Sequence, residues 1–144
     1  MKKVFIILFI SFSLFAKDKK IISTEDAPKA IGPYSQAVLL KNTLYVSGQI
    51  AIDPKTNKFI DGDIEQQTRR VLENLKAILQ EAGMDFKNVV SVTAYLSDLD
   101  NYQKFNEIYA EYFDSIKPAR ATVEVSRIPK DALVEISLVA KRID

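Results

Sequence analysis

Residues 63–83 read DIEQQTRRVLENLKAILQEAG and predict the helix around which the fold is organised. Their apolar side chains recur at helical spacing, so one face of the helix can pack against a sheet. That stripe consists of Ile64, Val71, Leu72, Leu75, Ile78 and Leu79. Asp63 is a suitable N-cap because Gln66 follows three positions later and completes a capping box. Gly83 is placed to end the helix.

Strands are predicted on both sides of this helix. Ala37 to Leu40 and Leu44 to Gln49 precede it, and they are joined by a short turn in which Asn42 can take left-handed geometry. Val89 to Leu96 follows the helix and is rich in β-branched residues, which favour strands. A hairpin on one side of the helix and a strand on the other indicate a sheet with the helix packed against it.

A second helix is predicted to begin near Asp100, with Gln103 three residues later. Its stripe is aromatic and is interpreted as core; it consists of Tyr102, Phe105, Ile108, Tyr109, Tyr112 and Phe113. Two last strands are predicted at Ala121 to Val125 and Val134 to Lys141. The resulting order, ββαβαββ, predicts an α+β fold with a single sheet and both helices on one face.

The other face of that sheet needs a partner. Leu44-Tyr45-Val46 and the last strand supply apolar residues to both faces, whereas two helices can cover only one of them. We therefore expect the chain to associate with copies of itself through the uncovered face.

The composition excludes most familiar catalytic apparatus. The 144 residues include no histidine and no cysteine, so there is no Ser-His-Asp triad, imidazole base, disulfide or zinc ribbon. The four glycines are isolated, and neither glycine-rich phosphate motif is present. A carboxylate-only metal site remains open. With 20 Lys and Arg against 19 Asp and Glu, the charge gives no footprint for nucleic acid or an anionic membrane.

Residues 1–16 differ in composition from the remainder. Two lysines precede an uncharged apolar run from Val4 to Phe15, which the small residue Ala16 closes. This pattern is typical of a secretory signal peptide, and the run is shorter than the ~20 residues of a transmembrane helix. We expect cleavage after Ala16, export to the periplasm without stable membrane association, and one domain at 17–144. The alternatives are a retained hydrophobic anchor or an early start codon, the latter with a cytoplasmic protein.

The segment 118–125, PARATVEV, is the strongest candidate for chemistry. In a strand, Arg120, Thr122 and Glu124 share one face. The planar fork of an arginine suits bidentate capture of a carboxylate. The alternative is a structural ion pair between Arg120 and either Glu124 or Glu135, and Glu135 can equally be a solvated strand position. Spacing alone leaves these readings open.

Short motifs along the chain follow the order and spacing of the RidA (YjgF) reactive-intermediate deaminases, which the sequence resembles from about Ile22 to Arg142. The motifs are Ile31-Gly32-Pro33-Tyr34-Ser35-Gln36-Ala37, Ser47-Gly48-Gln49-Ile50, Asn106 within FNEIY, Pro118-Ala119-Arg120 with Val123-Glu124-Val125, and IPKDALVE at 128–135. The resemblance implies a chorismate-mutase-like fold and a homotrimer with sites in the clefts between subunits. It also implies hydrolysis of enamine and imine acids to 2-oxo acids and ammonia, with no cofactor and no metal.

The same resemblance implies roles for individual residues. Arg120 holds the substrate carboxylate, and the backbone amide of Gly48 helps to orient it. Glu135 positions or activates the attacking water. The cleft is lined by Tyr34, Ser47 and Asn106. Thr122 stands where many members carry cysteine, which leaves the substrate preference open.

The predicted function is therefore hydrolytic deamination of small imino acids, namely 2-aminoacrylate with its tautomer 2-iminopropanoate, and 2-iminobutanoate. The alternative is a non-catalytic trimer of the same fold that binds small acids or acts as a chaperone. A ribonuclease activity, proposed for some relatives, is disfavoured because the chain has neither histidine nor a basic patch.

Overall fold

A six-stranded sheet with two helices makes up residues 19–142, which are the residues that the computed structural model describes. The predicted signal peptide at 1–16 lies outside them. In chain order the elements are β1 (Lys19–Ile22), β2 (Ala37–Leu40), β3 (Thr43–Gln49), α1 (Ile64–Glu81), β4 (Val89–Leu96), α2 (Tyr102–Phe113), β5 (Ala119–Glu124) and β6 (Val134–Lys141).

The strands lie in the order β1-β2-β3-β6-β4-β5. Among the strands of residues 19–142, only β4 and β5 are parallel neighbours, as expected for two strands connected through a helix. The predicted α+β class, with one sheet and two helices, is confirmed. The strand β1 was not predicted, because Lys-Lys-Ile-Ile is too short to show alternation. Its pairing with β2, from Lys19 opposite Leu40 to Ile22 opposite Ala37, makes it a strand.

The core lies between the helices and one face of the sheet. All six apolar residues of the predicted α1 stripe are buried. From α2, the buried residues are Phe105, Ile108, Tyr109 and Phe113. They pack against the alternate strand residues that face the helices, such as Val92, Ala94 and Ile136. Helical and strand periodicity therefore identified the same buried layer from both sides.

The ends of α1 are the predicted ones. The Asp63 side chain accepts a hydrogen bond from the Gln66 backbone N–H at 2.9 Å, and the Gln66 side chain accepts one from the Asp63 N–H at 3.2 Å. Gly83 follows the helix with a φ of +69°, a conformation that favours glycine. The capping box and the glycine stop are confirmed.

The second helix begins later than predicted. A short 3-10 turn, Leu99–Asn101, precedes it, and the Asp98 side chain caps that turn by accepting the Asp100 N–H at 2.8 Å. The α-helix therefore starts at Tyr102 and not near Asp100. Tyr102 itself is 41% exposed, so its assignment to the core was wrong.

Two smaller features also differ from the prediction. Lys41, with a φ of 53°, takes the left-handed position in the turn between β2 and β3, in place of Asn42. The strand β5 begins at Ala119, because pairing with the end of β4 near Ser91 extends it backwards from Ala121.

The face of the sheet away from the helices is partly open. Side chains from three strands, Ile21, Leu40 and Tyr45, are about half exposed there. Near β4 and β6 the face is covered by a second, smaller cluster made of Ile50, Ile52, Ile128 and Ala132. An apolar surface of this kind is typical of a contact between proteins. Neither α1 nor α2 has the length and apolar character to span a bilayer.

Candidate functional site

The residues predicted to form the site fall on opposite faces of the sheet. Arg120 pairs with Val92 of β4, which is buried beneath the helices. Glu135 pairs with Tyr95 of β4, three positions further along and therefore on the other face. Since β4 separates β5 from β6 and neighbouring strands are about 4.8 Å apart, Arg120 and Glu135 of one chain cannot both contact one small ligand.

Some of the predicted site residues surround a cavity of about 350 Å³ on the face of the sheet away from the helices, and we name it the Glu135 cavity. It brings together four of the predicted residues: Tyr34, Ser47, Gly48 and Glu135. The loop residues Pro28 to Ile31 form one wall, and Pro129 and the isoleucines after β3 contribute apolar surface. The cavity thus combines one carboxylate with a largely apolar lining, which suits a small organic molecule.

A β-bulge places Gly48 against Glu135. Val46 pairs with Leu138 and Gln49 with Ile136, so two residues of β3 oppose a single residue of β6. A Cβ atom added at Gly48 would stand 1.9 Å from Glu135 Oε1. Only glycine allows the carboxylate to lie over the strand at this point.

The Glu135 carboxylate has no hydrogen-bond partner among residues 19–142. Burial raises the pKa of this carboxyl above its usual value, because the charged form loses hydration. An ionised carboxylate in this setting is a stronger base than one in water, and its lone pairs are free to bind a water molecule.

The wall of the Glu135 cavity depends on Gln36, a residue that sequence reasoning placed in a motif but gave no role. Its buried amide accepts the Thr24 N–H at 2.7 Å and donates to the carbonyls of Ala27 and Pro28 at 3.2 and 2.8 Å. The Ser47 hydroxyl donates to the Ser35 carbonyl at 2.7 Å. These bonds fasten the loop before β2 to the sheet and hold the wall in place.

The second group surrounds a cavity of about 370 Å³ between α2 and β5, here named the Arg120 cavity. It brings together the predicted residues Asn106 and Arg120. Tyr109, Phe113 and Lys117 also line it, with Asp114 at its edge. The lining thus holds two cationic side chains, Arg120 and Lys117, and one carboxylate, Asp114. This excess of positive charge favours an anionic ligand.

Arg120 is held by aromatic side chains and not by an ion pair. Its Nη2 donates to the Tyr102 hydroxyl at 3.1 Å, and its guanidinium carbon lies 4.4 Å from the centroid of the Tyr109 ring. None of the ion pairs formed within residues 19–142 involves Arg120, so the alternative of a structural pair with Glu124 or Glu135 is wrong. Most of its N–H donors remain available to a ligand.

Thr122 lies on the same face of β5 as Arg120 but lines neither cavity. Its hydroxyl is buried and has no hydrogen-bond partner within the described part of the chain. Thr122, which was predicted among the substrate-binding residues, is therefore not brought into either cavity. Within residues 19–142, no cluster of three or more acidic side chains is arranged to hold a metal ion.

Comparison with known proteins gives consistent matches. A family model described as endoribonuclease L-PSP matches residues 24–142. A RutC family protein of Pyrococcus horikoshii is 57% identical over 122 residues, which cover 85% of this chain and 97% of that protein. The human 2-iminobutanoate/2-iminopropanoate deaminase is 46% identical, covering 85% and 89%. The crystal structure of E. coli TdcF with bound serine has a TM-score of 0.82 at 40% identity, covering 86% and 99%.

Proposed function

The chain belongs to the RidA/YjgF family, and from that premise we propose that it hydrolyses small 2-imino acids to 2-oxo acids and ammonia. The human and bovine relatives carry the name of this activity. The observation that carries the proposal is the environment of the Arg120 side chain. Its guanidinium stands in a cavity, oriented by aromatic rings and without an acidic partner in residues 19–142, as capture of a substrate carboxylate requires.

The proposed site forms between two copies of the chain. The Arg120 cavity of one copy faces the Glu135 cavity of the next copy. Each cleft therefore combines Arg120 from one chain with Glu135 from the other. The sheet supports this proposal, because the two side chains of one chain lie on opposite faces. A head-to-tail contact forms a ring when the rotation between copies closes, and we propose that it closes here as a trimer with three equivalent clefts.

In the proposed cleft, Arg120 binds the substrate carboxylate through two parallel N–H···O bonds, and the Gly48 N–H helps to orient it. Tyr34, Ser47 and Asn106 line the space around the substrate. The Glu135 carboxylate of the neighbouring copy binds a water molecule beside C2. The cleft thereby brings substrate and nucleophile together at a fixed distance, which is a large part of what such a reaction needs.

The reaction then balances with water alone. The water oxygen bonds to C2, Glu135 takes the proton that the water loses, and the C=N electron pair moves to nitrogen. The resulting carbinolamine breaks its C–N bond, its nitrogen leaves as ammonia after protonation, and the hydroxyl proton is lost to give the 2-oxo acid. A protonated imine is already electrophilic, so a carboxylate is a sufficient base.

The activity is tested by generating 2-iminobutanoate enzymatically in the presence of semicarbazide, which traps the free imine. We expect the protein to divert the imine to 2-oxobutanoate and to suppress semicarbazone formation. A protein that binds 2-oxobutanoate and leaves the initial rate of semicarbazone formation unchanged would instead support the non-catalytic binding function.

We expect Gly48→Ala to lower the hydrolysis rate about tenfold or more, because the new Cβ displaces the Glu135 carboxylate from the water position. The flexible end of Glu135 can move, so the fold is retained. Steady-state kinetics of the purified variant measure the effect. In a Glu135→Gln background the same change should have little further effect, and equal losses in both backgrounds would contradict the proposed role of Gly48.

The proposed assembly predicts a mass in solution. Sedimentation equilibrium at micromolar concentration should give about three times the protomer mass. The physical reason is the open apolar surface around Ile21, Leu40 and Tyr45, which self-association removes from water. A stable monomer under these conditions would contradict both the trimer and the shared cleft.

We also propose that the protein acts in the periplasm after loss of residues 1–16. The family match begins at residue 24 and β1 at Lys19, so cleavage after Ala16 removes no described element. N-terminal sequencing of native protein from fractionated cells should find Lys17 as the first residue. Intact Met1 in a cytoplasmic fraction would contradict the proposal.

A further inference from the structure

Three aromatic rings of α2 surround the guanidinium of Arg120. Its central carbon lies 4.4 Å from the ring centroid of Tyr109, 5.7 Å from that of Phe105 and 5.9 Å from that of Tyr102. All three distances are within the range of cation–π attraction. We name these three side chains the aromatic cradle. Helical spacing predicts all three as core residues, which is correct for Phe105 and Tyr109 and wrong for Tyr102.

Tyr109 forms the rigid base of the cradle. Its ring stacks on Phe113 with centroids 4.4 Å apart and packs against Phe105 at 5.7 Å, and the side chain is only 7% exposed. The ring therefore cannot rotate away from the cation above it. Burial also raises the pKa of Tyr109 to about 12, so the phenol beside Arg120 stays neutral even in alkaline solution.

Tyr102 fixes the guanidinium within its plane. The Tyr102 hydroxyl accepts a hydrogen bond from Arg120 Nη2 at 3.1 Å, while much of the Tyr102 ring remains exposed at the surface. An exposed aromatic side chain contributes little to a core, so its contact with Arg120 is the feature that accounts for its placement. The Tyr109 ring lies against the face of the guanidinium, and the Tyr102 hydroxyl binds its Nη2. Together these contacts leave the guanidinium little rotational freedom.

We propose that Tyr102 and Tyr109 are positioning residues, which hold Arg120 so that its remaining N–H donors point together at a substrate carboxylate. The inference rests on the proposed function. It adds how Arg120, which binds the substrate carboxylate, is held in one orientation. Arginine side chains carry large rotamer entropy, and a bidentate contact requires one orientation of the fork. The cradle removes that freedom before the substrate binds, which strengthens binding without any new contact to the substrate.

The test compares kcat and KM of three variants with 2-iminobutanoate. Tyr102→Phe, which removes one hydrogen bond, should raise KM about threefold. Tyr109→Leu, which removes the ring face, should raise KM about tenfold, and Tyr109→Phe should recover most of that loss because it keeps the ring. In each case kcat should change less than KM.

The matched control is Tyr112→Phe. The Tyr112 hydroxyl lies on the same helix and donates to Glu73 at 2.7 Å, and it makes no contact with Arg120. This variant should have parental kinetics. Circular dichroism and sedimentation should show the parental fold and assembly for Tyr102→Phe and Tyr112→Phe, since both residues are at least partly exposed. The same measurements check that Tyr109→Leu, a change at a buried position, still folds and assembles.

A double-variant comparison separates positioning from a general structural effect. In an Arg120→Ala background, Tyr102→Phe should cause no further loss, because there is no guanidinium left to orient. Equal losses in both backgrounds, or parental KM values in both Tyr102→Phe and Tyr109→Leu, would overturn the inference while leaving the proposed function intact. If the parent binds 2-oxobutanoate without hydrolysing the imine, the proposed function fails, and calorimetric binding of 2-oxobutanoate to the same variants still decides the inference.

Discussion

Arg120→Lys is expected to lower kcat/KM for 2-iminobutanoate nearly as far as Arg120→Ala does, by about thirty-fold or more. Lysine keeps the positive charge but lacks the planar fork that makes two parallel hydrogen bonds to a carboxylate. It also cannot donate to Tyr102 and stack over Tyr109 in the manner of the guanidinium. Rates of 2-oxobutanoate formation, measured at several imine concentrations, give the two constants.

The matched control for this prediction is Arg69→Lys. Arg69 makes a bidentate, half-exposed ion pair with Glu111 between the two helices, and neither residue lines either cavity. The same chemical change there should leave the kinetics unaltered, since Arg69 is not among the residues that line either cavity. Trimeric Arg120→Ala protein that hydrolyses the imine as fast as the parent would contradict the role of Arg120.

Glu135→Gln is expected to lower kcat about a hundred-fold, with a much smaller change in KM. Glutamine has nearly the same shape, but its amide cannot accept the proton of the attacking water. The trimer should assemble normally. Glu124→Gln is the control, because the Glu124 side chain accepts the Leu99 N–H at 2.9 Å, a bond that an amide oxygen can also make. A Glu135→Gln enzyme with parental kcat would contradict the proposed base.

The pH dependence of kcat gives a second readout of Glu135. The ionised carboxylate is the form that accepts a proton, and burial raises its pKa above the ordinary 4.5. The enzyme-dependent rate should therefore fall as the pH is lowered through a value above 4.5, once the rate of the uncatalysed reaction is subtracted. That acidic limb should be absent from the residual activity of Glu135→Gln.

Local patterns in the sequence were enough to predict most of the fold. The stripe of α1 and the capping box at Asp63 depend on residues three or four positions apart, so their signal is contained in one segment. The strand β1 has no such signal, because its Lys-Lys-Ile-Ile sequence becomes a strand only through pairing with β2. The same holds for the start of β5, which is set by its parallel partner β4.

The division of the site into two cavities could not be predicted from spacing within the sequence, and only the family resemblance implied sites between subunits. Arg120 and Glu135 lie on consecutive strands, and an antiparallel hairpin would place them side by side. In the structure β4 lies between β5 and β6. Arg120 pairs with one residue of β4 and Glu135 with another three positions further along, so the two side chains lie on opposite faces of the sheet. That arrangement depends on the long-range order of the strands, which spacing within a segment does not encode.

The contact between Arg120 and the aromatic cradle could not be predicted from the sequence either, because it also depends on how distant elements pack. Helical periodicity assigns Tyr102 and Tyr109 to the same stripe as Phe105, but it does not tell whether a ring faces a core or a cation. Only the position of β5 beside α2 brings the guanidinium over these rings.

The most direct test of the shared cleft is to mix two variants whose activity is strongly reduced. Arg120→Ala and Glu135→Gln chains are unfolded together in equal amounts and refolded, and mixed trimers are verified by native mass spectrometry. If each cleft takes Arg120 from one chain and Glu135 from the next, about one quarter of the clefts in random trimers contain both native residues. The mixture should then recover about a quarter of the parental rate of 2-iminobutanoate hydrolysis. A mixture of verified hybrid trimers no more active than the two separate variants would contradict the account.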